Sequence, residues 1–261
     1  MASSILIIIG SIIAAAAVLE LARCFSTPGK RKESNDFTGA VVTVIGTMYA
    51  VILAFLLSGL WNHYQQAKED AQLEAVDVVN IFRVANQFPE PQRKDIKTLA
   101  HEYAEVVLQV EWPQILKGQV PHGGGPIIDR LWEAASWANL SQGGQSLAMG
   151  ELMSSLSSLS QHRGIRILQT TDALPAILWA VLIAGGIVTV VAACFFGVPD
   201  FRFHLLQVVV LSFLISLVLV AIAAVDRPYQ GIVRVHPDGL LYALRTMEQE
   251  RHFPPTVLPP R

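Results

Sequence analysis

Residues 37–82 read FTGAVVTVIGTMYAVILAFLLSGLWNHYQQAKEDAQLEAVDVVNIF. No charged side chain interrupts residues 37–60, a run that supplies the roughly 20 apolar residues needed to cross a bilayer core. Charge returns after Trp61, yet neither Gly nor Pro appears through Phe82, and Leu73, Val76, Val79 and Phe82 recur at intervals of three. That spacing predicts an amphipathic helix. The stretch therefore reads as a transmembrane helix that continues into water, with those four residues facing inward. The FPEP of residues 88–91 stops it, because a proline restricts the residue before it.

Outward from this stretch, residues 2–19, 173–199 and 203–225 are also free of charge. Four such runs in 261 residues would leave too little polar sequence to cover them in a soluble core. Composition agrees: 52% of residues are apolar and 15% are Lys, Arg, Asp or Glu, against about 25% charged in a soluble domain. The fold class that follows is an all-α membrane protein. Four transmembrane helices, near 4–22, 38–60, 174–196 and 203–225, form two hairpins separated by a helical soluble insert. The expected organisation is a first hairpin at 1–60, an insert at 61–172, a second hairpin at 173–225 and a tail at 226–261. The final HFPPTVLPPR is too rich in proline to be more than an extended end.

The N-terminus lacks the basic segment of a secretory signal, and Arg23 stands before Cys24 where a lipid-attachment site requires a small residue. An uncleaved first span is expected. Cys24 and Cys194 both lie in or beside apolar runs, which gives neither a disulfide framework nor a zinc cluster. A net charge of −2 without a basic stripe gives no sign of nucleic-acid binding.

The insert reads as helices. A second one carries Ile96, Leu99, Tyr103, Val106 and Val110 on one face and ends at Pro113. KGQVPHGGGP, residues 117–126, is a loop whose three glycines lack the lysine and hydroxyl of a phosphate-binding loop. A third helix carries Ile128, Leu131, Trp132 and Ala135. A fourth, from about Gln145, has Leu152, Leu156 and Leu159 on one side, a seam that suits helix packing or a subunit contact equally.

Candidate chemistry is sparse. His63, Glu69, Asp70, Glu74 and Asp77 follow the second span, and His101 and Glu102 lie further on. None has metal-ligand spacing, so no metal and no cofactor are expected, and the residues read as a solvated helix face. No catalytic set is visible and no enzyme is expected. Glu111 and Trp112 stand before Pro113, and the tryptophan beside a helix-ending proline reads as core. No Asp, Glu, Lys or Arg sits mid-span, which removes the usual mark of a proton relay. Glu20 comes nearest, close to the end of the first span beside Arg23. A pore built from the second span would present Thr43, Gly46, Ala50, Phe55, Leu56 and Leu57, a narrow and mostly apolar constriction that gates by dewetting.

Orientation is contested by the charges themselves. Arg23, Lys30, Arg31 and Lys32 in the first loop favour its retention in the cytoplasm. Lys68, Arg163, Arg166, Arg227, Arg234 and Arg245 argue for the opposite side.

Four stretches, GTMYAVILAFLLSGLWNHYQQA, EWPQILKG, LPAILWAVLIAGG and DRPYQG, resemble those of a bacterial bestrophin-like membrane protein family, across about residues 37–234. The resemblance implies four spans per subunit and a helical insert on the cytoplasmic side. It also implies a homo-oligomer, a pentamer in the bestrophins, in the bilayer of the cell inner membrane. Its partners would be inorganic ions, mainly anions, crossing a pore lined by the second span. The calcium-binding acidic run of animal bestrophins has no counterpart after Gly231, where only Asp238 follows in IVRVHPDG. The alternative is a non-conducting, membrane-anchored scaffold that binds a partner through its insert. On either view Asp226 and Arg227 mark the membrane exit. Pro228 prevents smooth helical continuation, Tyr229 follows it, and Gly231 permits a turn that lays the tail back on the soluble helices.

Overall fold

The computed structural model describes residues 2–25, 35–136 and 143–252. Among them there is helix and no strand. The helices are α1 (Ala2–Phe25), α2 (Asn35–Val84), α3 (Gln92–Val106), α4 (Trp112–Ile115), α5 (Gly125–Ser136), α6 (Gly143–Thr171), α7 (Ala176–Cys194), α8 (Phe201–Val225) and α9 (Asp238–His252). Four of these are long and apolar enough to cross a membrane: α1, α2, α7 and α8. The last nine residues, most of the proline-rich end, lie outside the described residues.

The chain divides into two compact units. The first comprises residues 1–62 and 173–226. In it α1 packs along α8, and α7 packs against both. Their contact uses hydroxyls: Ser11 Oγ lies 2.6 Å from Ser216 Oγ, and Ser212 Oγ donates to the Ser11 carbonyl at 3.3 Å. In lipid such bonds and small side chains, rather than the hydrophobic effect, hold helices together. Asp200 caps α8 by accepting from the Arg202 N–H at 2.8 Å. The spanning half of α2 buries Tyr49, Leu53 and Leu60. At its start Asn35 and Gly197 exchange two hydrogen bonds, of 2.8 and 3.3 Å.

The second unit comprises residues 63–172 and 227–261, and its core joins α2, α3, α5, α6 and α9. α2 is a single helix of 50 residues that ends, after a short 3₁₀ turn, at Phe88 in front of Pro89. Its inner face differs from the one expected. Leu73 and Val76 are exposed, Val79 is half-buried, and only Phe82 of the four is fully inside. The buried face is Ala67, Ala71, Glu74, Ala75, Val78 and Ile81. The alanines allow α9 to approach closely: a Cβ at Gly239 would stand 3.2 Å from that of Ala75.

Pro113 does not end the second helix of the insert. α3 passes into a π-helical turn at Val107–Glu111 and then into α4, with Pro113 in its first turn, where a missing N–H is tolerated. The wider turn keeps Tyr103, Val107, Glu111 and Ile115 inside, while Val110 points outward. Leu152, Leu156 and Leu159 are fully buried within the chain, so their seam is internal packing. The segment after the last span, expected as a tail, holds α9, whose Leu240, Ala243 and Met247 are buried at helical spacing.

Candidate functional site

In the second unit the acidic residues of α2 turn inward rather than to water. Asp70, Glu74 and Asp77 are all buried, on the same side as Ala67 and Ala71. Glu69 and Lys68 are exposed, as expected. Burying carboxylates is costly unless each is paired, and each here has a partner. Arg166 of α6 engages Glu74 through two hydrogen bonds, of 2.5 and 3.0 Å, and reaches Glu111 with Nη2 at 2.7 Å. Tyr103 donates to Glu74 at 2.6 Å. Glu111 accepts further from Arg163 and from the Gly124 N–H, both at 2.7 Å. His162 lies 2.6 Å from Asp77, and Gln169 donates to Asp70 at 2.7 Å.

The glycine loop thus binds a side-chain carboxylate. Its tightness is steric, since a Cβ at Gly124 would stand 2.9 Å from the Tyr103 ring and 3.1 Å from Arg163 Nε. Burial pushes the Glu111 carboxyl upward, but Arg166, Arg163 and the Gly124 N–H outweigh it and hold the group below its ordinary value. For Asp77 burial prevails over His162 and the value is raised, with Glu74 adding to the rise. Arg163 and Arg166 are ion-paired within this unit, so their charges belong to its core rather than to a membrane surface.

Beside this cluster sits the turn at 228–231. Tyr229 is 1% exposed, its one hydroxyl proton is shared between the Ala67 carbonyl at 3.1 Å and Gln169 Oε1 at 3.3 Å, and its ring meets Trp112 edge-on at 5.9 Å. Trp112 in turn lies under the Arg166 guanidinium at 5.8 Å. Gly231 has φ +93°, a conformation that disfavours any other residue. The Val235 N–H closes the turn on the Pro228 carbonyl at 2.8 Å, and Gln230 donates to the Thr170 carbonyl at 3.1 Å. Arg227 is exposed and bonds Gln230 at 3.2 Å.

Asp226, in the first unit, does more than mark a boundary. It is buried, and its Oδ1 accepts the Leu174 N–H at 2.7 Å, fixing the chain just before α7 to the end of α8.

In the spanning half of α2, Thr43, Ala50 and Phe55 are exposed, and Gly46, Leu56 and Leu57 are half-buried. Thr43, Gly46, Ala50 and Leu57 follow one edge of the helix, with Phe55 about 150° around from it in one direction and Leu56 about 110° in the other. Phe55 shares its side with Val44, Met48 and Val51, an exposed apolar stripe opposite Tyr49 and Leu53.

His63 lies 3.9 Å from Asp172, His101 lies 3.5 Å from Glu105, and Glu102 pairs with Arg130 at 3.0 Å. These histidines do not converge with Glu74, and the described residues hold no group of three His, Cys, Asp or Glu arranged for a metal. Glu20 is exposed on α1.

The model of the bestrophin-like domain matches residues 9–240. The chain belongs to the bestrophin-like family. Solved structures agree in fold. A bacterial bestrophin homolog from Klebsiella pneumoniae superposes with a TM-score of 0.65 at 14% identity, covering 93% of this chain and 96% of the other. A single-substitution variant of that homolog gives 0.67 at 13%, covering 93% and 98%. A crystal structure described only as a membrane protein gives 0.66 at 13%, covering 93% and 96%. No curated protein matches in sequence. The bestrophin-like resemblance was carried by apolar and turn residues. The paired charges inside the second unit were missed, although Asp70, Glu74 and Asp77 share a face with the alanines.

Proposed function

We propose that this chain is one subunit of an oligomeric ion channel of the cell inner membrane, in which the spanning half of α2 lines the pore. What carries this reading is the family membership across residues 9–240 together with a spanning half of α2 that is uncharged over residues 37–60 and free on one side. The neck of this reading has Phe55 on the free side and Thr43 and Ala50 at its edge, with Gly46, Leu56 and Leu57 half-buried behind them. Without a fixed charge, such a neck admits ions according to its wetting. Anions are the permeant class and a pentamer is the assembly, both on the family resemblance. Asp226, Arg227, Pro228, Tyr229 and Gly231 form the corner that fixes the chain where it leaves the membrane. Planar-bilayer recording of purified protein tests the proposal: unitary currents are expected, altered by Phe55→Ala or Leu56→Ala. Silence across broad ionic conditions would remove it.

A second reading, a non-conducting scaffold, draws on the groove between α2 and α9. There Val76 and Tyr242 are exposed apolar residues of the second unit. It requires a monomer or dimer in mild detergent, whereas the channel requires a larger ring.

A further inference from the structure

Tyr49 lies on the side of α2 opposite the free stripe and is 6% exposed. Its ring occupies a notch in α7. A Cβ at Gly185 would stand 2.6 Å from ring atom Cδ2 and 2.7 Å from Cε2, distances that real side chains do not adopt. A Cβ at Gly186 would stand 3.1 Å from the Tyr49 hydroxyl and 3.1 Å from Ile215 of α8. The hydroxyl donates to the Leu182 carbonyl at 2.8 Å. In an α-helix that carbonyl already accepts from the Gly186 N–H. The bare Gly186 therefore leaves its second lone pair open to the tyrosine.

An aliphatic residue in this place would set only the distance between the helices. A flat ring in a fitted notch, ending in a directional hydrogen bond, also sets the rotation of α2 about its own axis. A second fixed point stands at the start of the helix, where Asn35 exchanges hydrogen bonds with Gly197 and Phe196 packs 3.8 Å from the Cβ position of Gly39. Asn35 and Tyr49 are about 21 Å apart along the axis at 1.5 Å per residue. A helix pinned twice along one side has its other side decided.

We propose that Tyr49 is a positioning residue for conduction: seated on Gly185 and Gly186, it fixes which residues of α2 face the ion path. The proposal rests on the reading of α2 as the pore helix. Its test needs no current. Cys24→Ser and Cys194→Ala provide a thiol-free background for single cysteines at Thr43, Val44, Ala50, Val51 and Phe55. Each is labelled in proteoliposomes with a charged, water-soluble thiol reagent and with a lipid-soluble maleimide.

The parent should show a contrast in labelling rate between Val44, Val51 and Phe55 on one side and Thr43 and Ala50 on the edge. Gly185→Ala should displace the ring and shift the reactive stripe around the helix. Tyr49→Ala should erase the contrast. Tyr49→Phe should keep the stripe, because the ring remains seated, with reduced contrast. An unchanged stripe in inserted, assembled Gly185→Ala or Tyr49→Ala protein overturns the proposal, and where the first does not accumulate the second decides. If no α2 cysteine in the parent reacts with the charged reagent, the pore reading fails. The maleimide pattern still reports the rotation.

Discussion

At the residue scale, Arg166 has the most neighbours to lose. Arg166→Leu keeps most of the volume but leaves the fully buried Glu74 without a cation and Glu111 with Arg163 alone. Breaking one side of a buried pair destabilises by about 3–5 kcal/mol. Thermal denaturation in detergent should show a large drop, and Arg166→Lys should recover only part of it, since a lysine lacks the planar fork. Glu111 adds a pH dependence. Its carboxyl is held below the ordinary 4.5, so the stabilisation is fully present above that value and is lost as pH falls through the depressed one. Asp77, raised by burial, works the other way and is most favourable to folding when protonated. Glu111→Gln should therefore flatten the acid limb of the stability profile, measured against the parent between about pH 3 and 5, around the usual carboxylate range.

At the element scale, the turn of Pro228 to Gly231 holds Tyr229 between α2 and α6. Tyr229→Phe deletes the hydroxyl proton that the Ala67 carbonyl and Gln169 Oε1 share and should cost about 1 kcal/mol. Tyr229→Ala also empties a buried site and should cost about 3–5 kcal/mol. Chemical denaturation followed by Trp112 fluorescence reads both, because the two rings are in contact. The same elements show what the sequence carried. The length of α2, its uninterrupted helicity and its proline stop were legible, because each depends on nearby residues. Its inner face was not. Alanines suit close helix approach but score as weakly apolar, and an inward Glu74 makes sense only beside Arg166, which is 92 positions away. Helix α9 was legible in principle, since Leu240, Ala243 and Met247 repeat at helical spacing after Asp238, but the tail was read only as laid back on the soluble helices, with no helix assigned in it. Pro113 misled for a local reason, since a π turn before it absorbs the defect.

At the scale of the whole molecule, family and four-span architecture were legible because apolar runs and turn chemistry survive in sequence. Which side of α2 would line the proposed pore was not, because such a pore would belong to several chains at once. Mild-detergent size analysis should give a ring-sized oligomer, and cross-linking should stop at five subunits. A monomer or dimer would favour the scaffold instead. The division into two units carries a further consequence, for the order in which the protein is made. The second unit draws residues from before and after the last two spans, and Tyr229 meets Ala67 across 162 positions. At about 5–20 residues per second, a ribosome needs roughly 8–30 s to travel that distance. For that interval the alanine face of α2 waits without its closing aromatic. Nascent chains stalled inside the second hairpin should be protease-sensitive around Ala67, and become resistant once the ribosome has released residues 227–252.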